Sequence, residues 1–227
     1  ARRQRQMCIR DRHEVKRLSS EGVREFNLIA QDSSFYGRDL NDGTTLARLL
    51  KELVKIDNVK WIRLFYLYPT YFDDELLEII TKEEKICKYV DIPLQHISDS
   101  VLRRMHRRDS SQSIKKLLKK LRNTTPYITI RTTLMVGFPG ETEADFKELL
   151  TFIKAVKFDN MGAFTYSAQD GTPAARMVDQ VTEEIKENRY HELMAAQAEI
   201  SEENNRNLIG VDTEVLVEEL LDDGCGN

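Results

Sequence analysis

The segment TIRTTLMVGFPGETEADF, residues 129–146, decides the fold. Its first eight residues are mostly β-branched and apolar, which predicts a strand over Thr129–Val136. Gly137-Phe138-Pro139-Gly140 then predicts a turn, and Thr142 followed by Asp145 fits the capped start of a helix. A strand that turns directly into a helix is the unit from which parallel α/β sheets are built.

The same alternation of strand and helix extends over most of the chain. Further strands are predicted at 24–30, 61–68, 87–92 and 161–166, and helices at 44–54, 74–80, 99–105, 113–122 and 182–205. A doubly wound sheet and a partial barrel both fit this pattern. Turn-forming or polar residues follow all five strands, and only a barrel brings all five strand ends to one mouth, so we expect a partial (β/α) TIM-type barrel. These strand ends are Gln31-Asp32, Tyr68-Pro69, Pro93–His96, Gly137–Gly140 and Tyr166-Ser167.

Composition narrows the class of protein. The chain has 227 residues, a formal net charge of −4 and three cysteines, Cys8, Cys87 and Cys225. Cysteines so far apart form neither a disulfide framework nor a local metal site, which favours a reducing, cytoplasmic setting. No apolar run approaches the length of about 18 residues that a membrane span requires.

Basic residues concentrate in residues 103–122, where nine Lys and Arg accompany only Asp109. One interpretation is a set of solvated helix faces. The other is proximity to an anionic partner such as the ribosome or RNA. No aromatic residues interleave the basic ones, which argues against a platform for stacking single-stranded bases.

Both ends of the chain depart from the pattern of the middle. Residues 1–12, ARRQRQMCIRDR, show no periodicity and are interpreted as non-native, so that regular pattern begins at about His13. Val215-Leu216-Val217 reads as a single strand, which cannot bury an apolar face by itself. We therefore expect a fragment cut at both ends.

Candidate site residues lie at or beside the strand ends. Gly137 and Phe138 belong to a loop that is either an ordinary tight turn or a cradle offering backbone N–H groups to a ligand. Asp91 and Arg131 lie inside apolar strands, so they face either each other or a polar interior. His96 reads best as a hydrogen-bonded loop residue, and no metal site or catalytic constellation is assignable.

Five strings together carry a family resemblance. They resemble the radical S-adenosylmethionine methylthiotransferases, and most closely the branch that modifies an aspartate of a small-subunit ribosomal protein. IAQDSS at 29–34 and DIPLQHIS at 91–98 favour that branch over the tRNA branch. The strings are GVREFNLIAQDSSFYG (22–37), WIRLFYLYPTYFDDELLEII (61–80), YVDIPLQHISDSVLRRMHRR (89–108), IRTTLMVGFPGETEADF (130–146) and FDNMGAFTYSAQDGTPAARMVDQV (158–181).

The resemblance implies the partial barrel core of a radical S-adenosylmethionine enzyme at 13–206 and the first strand of a C-terminal TRAM barrel within 207–227. It implies S-adenosylmethionine and two 4Fe-4S clusters in full-length members, a ribosomal-protein or ribosome substrate, and RNA contact through TRAM. Apart from the resemblance, we expect a monomer without membrane association. The family's C-x-x-x-C-x-x-C triplet precedes the region of His13 and is not found here, so we expect residues 1–227 alone to bind no cluster and to be inactive. The S-adenosylmethionine pocket is expected at Gln31, Gln95, Arg131, Gly137, Phe138 and Tyr166.

Three other functions compete with this one. A tRNA methylthiotransferase forming 2-methylthioadenosine would differ in substrate. An aldolase-type barrel would need a Schiff-base lysine or an acid/base pair at a strand end, and none is visible. A truncated, non-enzymatic binding module is the third.

Overall fold

The fold is a five-stranded, fully parallel sheet whose strands lie side by side in chain order. The computed structural model describes residues 2–40 and 42–217, with side chains from Ile9 onward. The strands are β1 (Glu25–Leu28), β2 (Trp61–Leu64), β3 (Ile86–Asp91), β4 (Thr129–Val136) and β5 (Asn160–Thr165). A doubly wound sheet reverses its strand order at a switch point, and this order has no reversal. The strand order therefore favours the barrel arrangement.

Helices connect and cover the strands. Because crossovers between parallel strands are right-handed, an unreversed order places the connecting helices on one face of the sheet. Side-chain caps begin several of them: Thr142 accepts from the Asp145 N–H, and Thr182 accepts from the Ile185 N–H. The helices are α1 (Arg2–Ser20), α2 (Leu46–Leu53), α3 (Asp74–Lys82), α4 (Asp99–Arg104), α5 (Ser111–Thr124), α6 (Glu143–Val156) and α7 (Glu183–Arg206), with 3₁₀ turns at Ser33–Phe35, Pro69–Tyr71 and Ala174–Arg176.

The two faces of the sheet have different chemistry. On the outer face, Ile62, Val90, Ile130 and Leu134 are buried in the main hydrophobic core. Each such side chain contributes about 1.5–3 kcal/mol of stability when it is removed from water. The alternate residues of the strands form the inner face, which carries charged, aromatic and thioether side chains: Arg63, Tyr89, Asp91, Arg131, Met135 and Phe164.

Two expectations about the chain ends need correction. Helix α1 begins at Arg2, well before His13, and it is tied to the body where the Tyr36 hydroxyl donates to Asp11 (2.8 Å) and Arg12 pairs with Glu52 (3.1 Å). The strand expected at 215–217 is not formed, because no described strand lies alongside to pair with it. The side chain of Cys8 and the whole of Cys225 lie outside the described residues. The assignment of 1–12 as non-native stays a prediction.

No helix in the described part of the chain is both long enough and apolar enough to cross a bilayer.

Candidate functional site

Gln95 is fixed in a strained backbone conformation just beyond β3. Its φ is +67°, a left-handed value that costs a non-glycine residue about 1–2 kcal/mol. Two bonds to β4 hold it there: its N–H donates to the Thr133 carbonyl (2.9 Å), and its carbonyl accepts from the Met135 N–H (2.7 Å). The side-chain Oε1 is buried and has no hydrogen-bond donor among the described residues. Gln95 therefore presents a fixed, unused acceptor at a strand end.

A cavity of about 420 Å³ lies beside Gln95 at the carboxyl ends of β3–β5. Its walls are rich in sulfur and aromatic side chains, and its size suits part of a small organic ligand. Gln95 and Phe138, both expected in the pocket, line it together. The full lining is Gln95, Arg104, Met105, His106, Arg107, Met135, Phe138, Phe164, Thr172, Pro173, Ala174 and Met177.

Asp91 and Arg131 pair across neighbouring strands. They are in register on β3 and β4, and Arg131 Nη1 lies 2.9 Å from Asp91 Oδ1. Of the two arrangements that the sequence left open, the structure shows the two side chains facing each other, and both lie on the polar inner face of the sheet. The Asp91 side chain is fully buried and its Oδ2 has no hydrogen bond, whereas 38% of the Arg131 side chain is exposed. The pair thus offers a cation and an unused buried acceptor, which suits a ligand carrying both acidic and hydrogen-donating groups.

The Gly137–Gly140 loop is a tight turn whose N–H groups are already occupied. Oε2 of Glu141 accepts from the N–H groups of Gly137 (2.7 Å) and Phe138 (3.3 Å), and Oε1 pairs with Arg189 (2.9 Å). Burial raises the pKa of Glu141, and the arginine and the two N–H groups oppose that rise. The structure favours the tight turn over a backbone cradle for a ligand, because the protein's own carboxylate accepts from both N–H groups.

His96 is a neutral, hydrogen-bonded loop residue, as expected, although its buried Nε2 has no hydrogen-bond partner among the described residues. Its side chain is fully buried, and its Nδ1 accepts from the Ser98 N–H (3.0 Å). The proton therefore resides on Nε2, which faces Glu141 Oε2 at 3.8 Å. Burial lowers the pKa of His96 to about 4, and nearby Asp145 opposes the shift only in part.

The remaining expected residues are not all brought together. Tyr166 is buried behind the cavity wall, where its ring packs edge-to-face on Phe138 with centroids 5.1 Å apart. Gln31 is exposed beyond β1, which is three strands away from β4, and it does not line the cavity.

No pattern in the sequence points to Glu141 and Arg189 as a pair. The sequence does show a glutamate four residues after Gly137. Its partner Arg189 lies 48 residues further on.

Most of the basic residues at 103–122 have acidic partners within the fold. Arg104, Arg107, Lys115, Lys120 and Arg122 all form ion pairs. This finding favours solvated helix faces over a free cationic surface.

Comparisons with known proteins agree with this geometry. A model of the Radical SAM superfamily matches residues 11–153. Two solved radical S-adenosylmethionine enzymes share the fold. Coproporphyrinogen III oxidase (HemN) from Escherichia coli has a TM-score of 0.56 and 19% identity, over 68% of this chain and 36% of that one. The methyltransferase TsrM from Kitasatospora setae has a TM-score of 0.55 and 16% identity, over 72% of this chain and 32% of that one. The chain belongs to the Radical SAM superfamily.

Curated relatives narrow the family. The chain is 52% identical over 205 residues to the ribosomal protein uS12 methylthiotransferase RimO of Pelobacter propionicus, covering 90% of this chain and 46% of that protein. It is 51% identical over the same length and coverage to the RimO of Geotalea uraniireducens. The chain therefore spans about half the length of these relatives.

The superfamily implies a 4Fe-4S cluster and S-adenosylmethionine. Among the described residues, no three His, Cys, Asp or Glu side chains converge as a metal site, and Cys87 is a free, half-buried thiol. The described residues do not fit the cluster. They do fit S-adenosylmethionine, because Asp91 and Gln95 carry buried acceptors without donors at the end of β3, and the partly exposed guanidinium of Arg131 lies beside Asp91.

Proposed function

We propose that this chain forms the S-adenosylmethionine barrel of an enzyme that methylthiolates an aspartate β-carbon in ribosomal protein uS12. The observation that carries the proposal is the 52% identity to a uS12 methylthiotransferase, which extends over 205 of the 227 residues. The resemblance in the strings IAQDSS and DIPLQHIS supports this substrate over tRNA.

The chain's own residues bind and orient S-adenosylmethionine. Arg131 holds the carboxylate or the ribose hydroxyls, and the free oxygen of Asp91 accepts a hydrogen bond from the ammonium or a hydroxyl. The side-chain oxygen of Gln95 accepts an N–H or O–H in the adjacent cavity. Phe138, backed by Tyr166, forms an apolar wall that excludes water. Bound S-adenosylmethionine supplies the adenosyl and methyl groups that the family's reaction uses.

Two expected residues act less directly in this proposal. Gly137 shapes the turn behind the pocket, since its N–H is engaged by Glu141. Gln31 borders the mouth at the end of β1.

The barrel core occupies residues 13–206, and a TRAM domain that contacts RNA begins within 207–227. The enzyme acts in the cytoplasm as a monomer.

A segment exchange tests the proposed substrate. In the Pelobacter propionicus relative, the matching 205-residue segment is replaced by that of this chain, and the purified protein is reconstituted anaerobically with iron and sulfide. We expect uS12 to gain a methylthio group on an aspartate, detected by peptide mass spectrometry. Modification of tRNA adenosine with unmodified uS12 would show the tRNA branch to be correct, and modification of neither substrate would refute the proposal.

Arg131→Met tests the binding site in the same exchanged protein. Arg63→Met is the matched control, because Arg63 also lies on the inner face and pairs with Glu25 at 2.9 Å. We expect only Arg131→Met to weaken S-adenosylmethionine binding in calorimetric titration, by about tenfold for one lost charged hydrogen bond. Equal weakening by both variants would argue against a specific contact at Arg131.

A further inference from the structure

A short segment of chain closes one side of the cavity at the strand ends. This covering segment, residues 172–179, contributes Thr172, Pro173, Ala174 and Met177 to the cavity wall. Two contacts at its last residue hold it in place. Asp179 Oδ2 pairs with Arg104 Nη1 at 2.8 Å, and the Asp179 carbonyl accepts from the Gly140 N–H at 2.8 Å.

The guanidinium of Arg104 packs closely against the turn at Gly140, at the rim of the cavity. A Cβ atom added to Gly140 would lie 2.3 Å from the Arg104 Cζ and 2.4 Å from its Nη1, so only glycine lets the guanidinium pack against this turn. The φ of Gly140 is +79°, which also favours glycine. The position of the guanidinium therefore depends on the turn as well as on Asp179.

The other arginine in the cavity wall, Arg107, is held in place by contacts within the fold. Arg107 donates to the Pro93 carbonyl (2.8 Å), lies over the Tyr68 ring (4.5 Å to its centroid) and has only 13% of its side chain exposed. Arg104 and Asp179 are each 41% exposed. An ion pair so exposed is worth about 0–1 kcal/mol, so another carboxylate can replace Asp179 at little cost.

We propose that Arg104 is the receptor for the carboxylate of the substrate's aspartate side chain, and that Asp179 occupies it until the substrate binds. This inference rests on the proposed function, which makes the substrate a carboxylate. Exchange of one carboxylate for another conserves charge, and it frees the end of the covering segment as the substrate side chain enters. The carboxylate of S-adenosylmethionine has a separate partner in Arg131, whose own Asp91 is fully buried and not exchangeable.

Two substitutions that break the same ion pair have opposite expected effects. The probe is an acetylated, amidated tripeptide with a central aspartate, titrated calorimetrically into the 227-residue chain. Asp179→Asn removes the competing carboxylate and should tighten binding by about two- to fivefold. Arg104→Gln removes the receptor and should weaken binding by about tenfold or more. Any general effect of losing the ion pair is common to both variants.

Two matched controls test whether the bound group must be a carboxylate and whether the effect is specific to Arg104. The same tripeptide with asparagine should bind no more tightly to the Asp179→Asn protein than to the unaltered chain. Arg103→Gln changes the neighbouring exposed arginine, whose Nε donates to the Asp99 carbonyl of its own helix, and it should leave aspartyl-peptide binding unchanged.

Three results would overturn the proposal. They are an unchanged affinity of Arg104→Gln for the aspartyl peptide, no detectable binding by Asp179→Asn up to the solubility limit of the peptide, or weakened S-adenosylmethionine binding by Arg104→Gln in the exchanged protein. Modification of uS12 by the exchanged protein together with any of these results leaves the proposed function standing. Peptide binding that depends on Arg104 in an enzyme that does not modify uS12 refutes the proposed function alone.

Discussion

Removal of the Arg189 side-chain charge should destabilise the chain more than any change to an exposed ion pair. The Glu141 side chain is fully buried and that of Arg189 is 8% exposed, with 2.9 Å between Oε1 and Nη1. Arg189→Met would leave Glu141 with two backbone N–H donors and no cation. Breaking a buried pair in this way costs about 3–5 kcal/mol, because the remaining carboxylate is neither solvated nor neutralised.

The loss should depend on pH. Burial already raises the pKa of Glu141 in the folded protein, and loss of Arg189 removes the main opposing influence, so the pKa rises further in the variant. A group whose folded pKa lies above its unfolded value stabilises the fold while it is protonated, and this stabilisation is lost as the pH rises through the folded pKa. The difference in unfolding free energy between the two proteins should therefore be larger at pH 8 than at pH 5.

Urea unfolding followed by circular dichroism measures the effect. Arg206→Met is the matched control, because Arg206 lies on the same helix, α7, and forms an exposed pair with Glu202. It should cost no more than about 0.5 kcal/mol. The double variant Arg189→Met with Glu141→Gln should recover part of the loss, since no buried charge remains. A cost for Arg189→Met that matches the control, or that grows as the pH falls, would refute this account of the buried pair.

Three further outcomes are expected. Gly137→Ala should destabilise the chain by about 1–3 kcal/mol in the same urea assay, because φ at Gly137 is +74° and the new Cβ would lie 2.2 Å from Lys186 Cγ. Gly162→Ala is the control and should cost much less, because no atom lies within 4 Å of its new Cβ. Equal costs would contradict the steric argument. His96 should show no titration between pH 5 and 8 in ¹H–¹⁵N NMR spectra, because burial lowers its pKa to about 4. Since the pKa is lower in the folded than in the unfolded protein, the contribution of His96 to stability is lost as the pH falls from about 6.5 towards 4. A titration midpoint near 6.5 would be inconsistent with burial. Residues 1–227 alone should hold no stoichiometric 4Fe-4S cluster after anaerobic reconstitution, as measured by iron and sulfide analysis. A full cluster would overturn the expectation, which rests on the absence of the family's C-x-x-x-C-x-x-C triplet from these residues.

The secondary structure followed from local pattern in the middle of the chain. β4 occupies the predicted Thr129–Val136 without change, and α6 begins at the predicted cap, Thr142. These elements are encoded locally, because alternating burial and capping involve residues a few positions apart. The short β2, which ends at Leu64 four residues before the expected Tyr68, shows the limit of that reasoning. Although the neighbouring strands still offer partners beyond Leu64, Tyr66 takes a left-handed φ of +54°, which a regular strand does not contain.

The candidate site was predictable in its position but not in its contacts. The sequence predicts a site at the strand ends, and Gln95 and Phe138 do line one cavity there. The sequence left the Gly137 loop open between a turn and a ligand cradle, and Glu141 with Arg189 decided for the turn. A partner 48 residues away has no signal in local spacing.

By itself, the sequence determined the order of strands and helices, the capped helix starts and the resemblance to one family, because each depends on neighbouring residues or on motif strings. Only the tertiary structure decided that the strands lie in unreversed order, that Arg131 faces Asp91, and that Asp179 reaches Arg104. These contacts join segments about 40 to 75 residues apart along the chain. They form because strands pair and helices pack in three dimensions, where charge and burial are balanced between residues that the sequence keeps far apart.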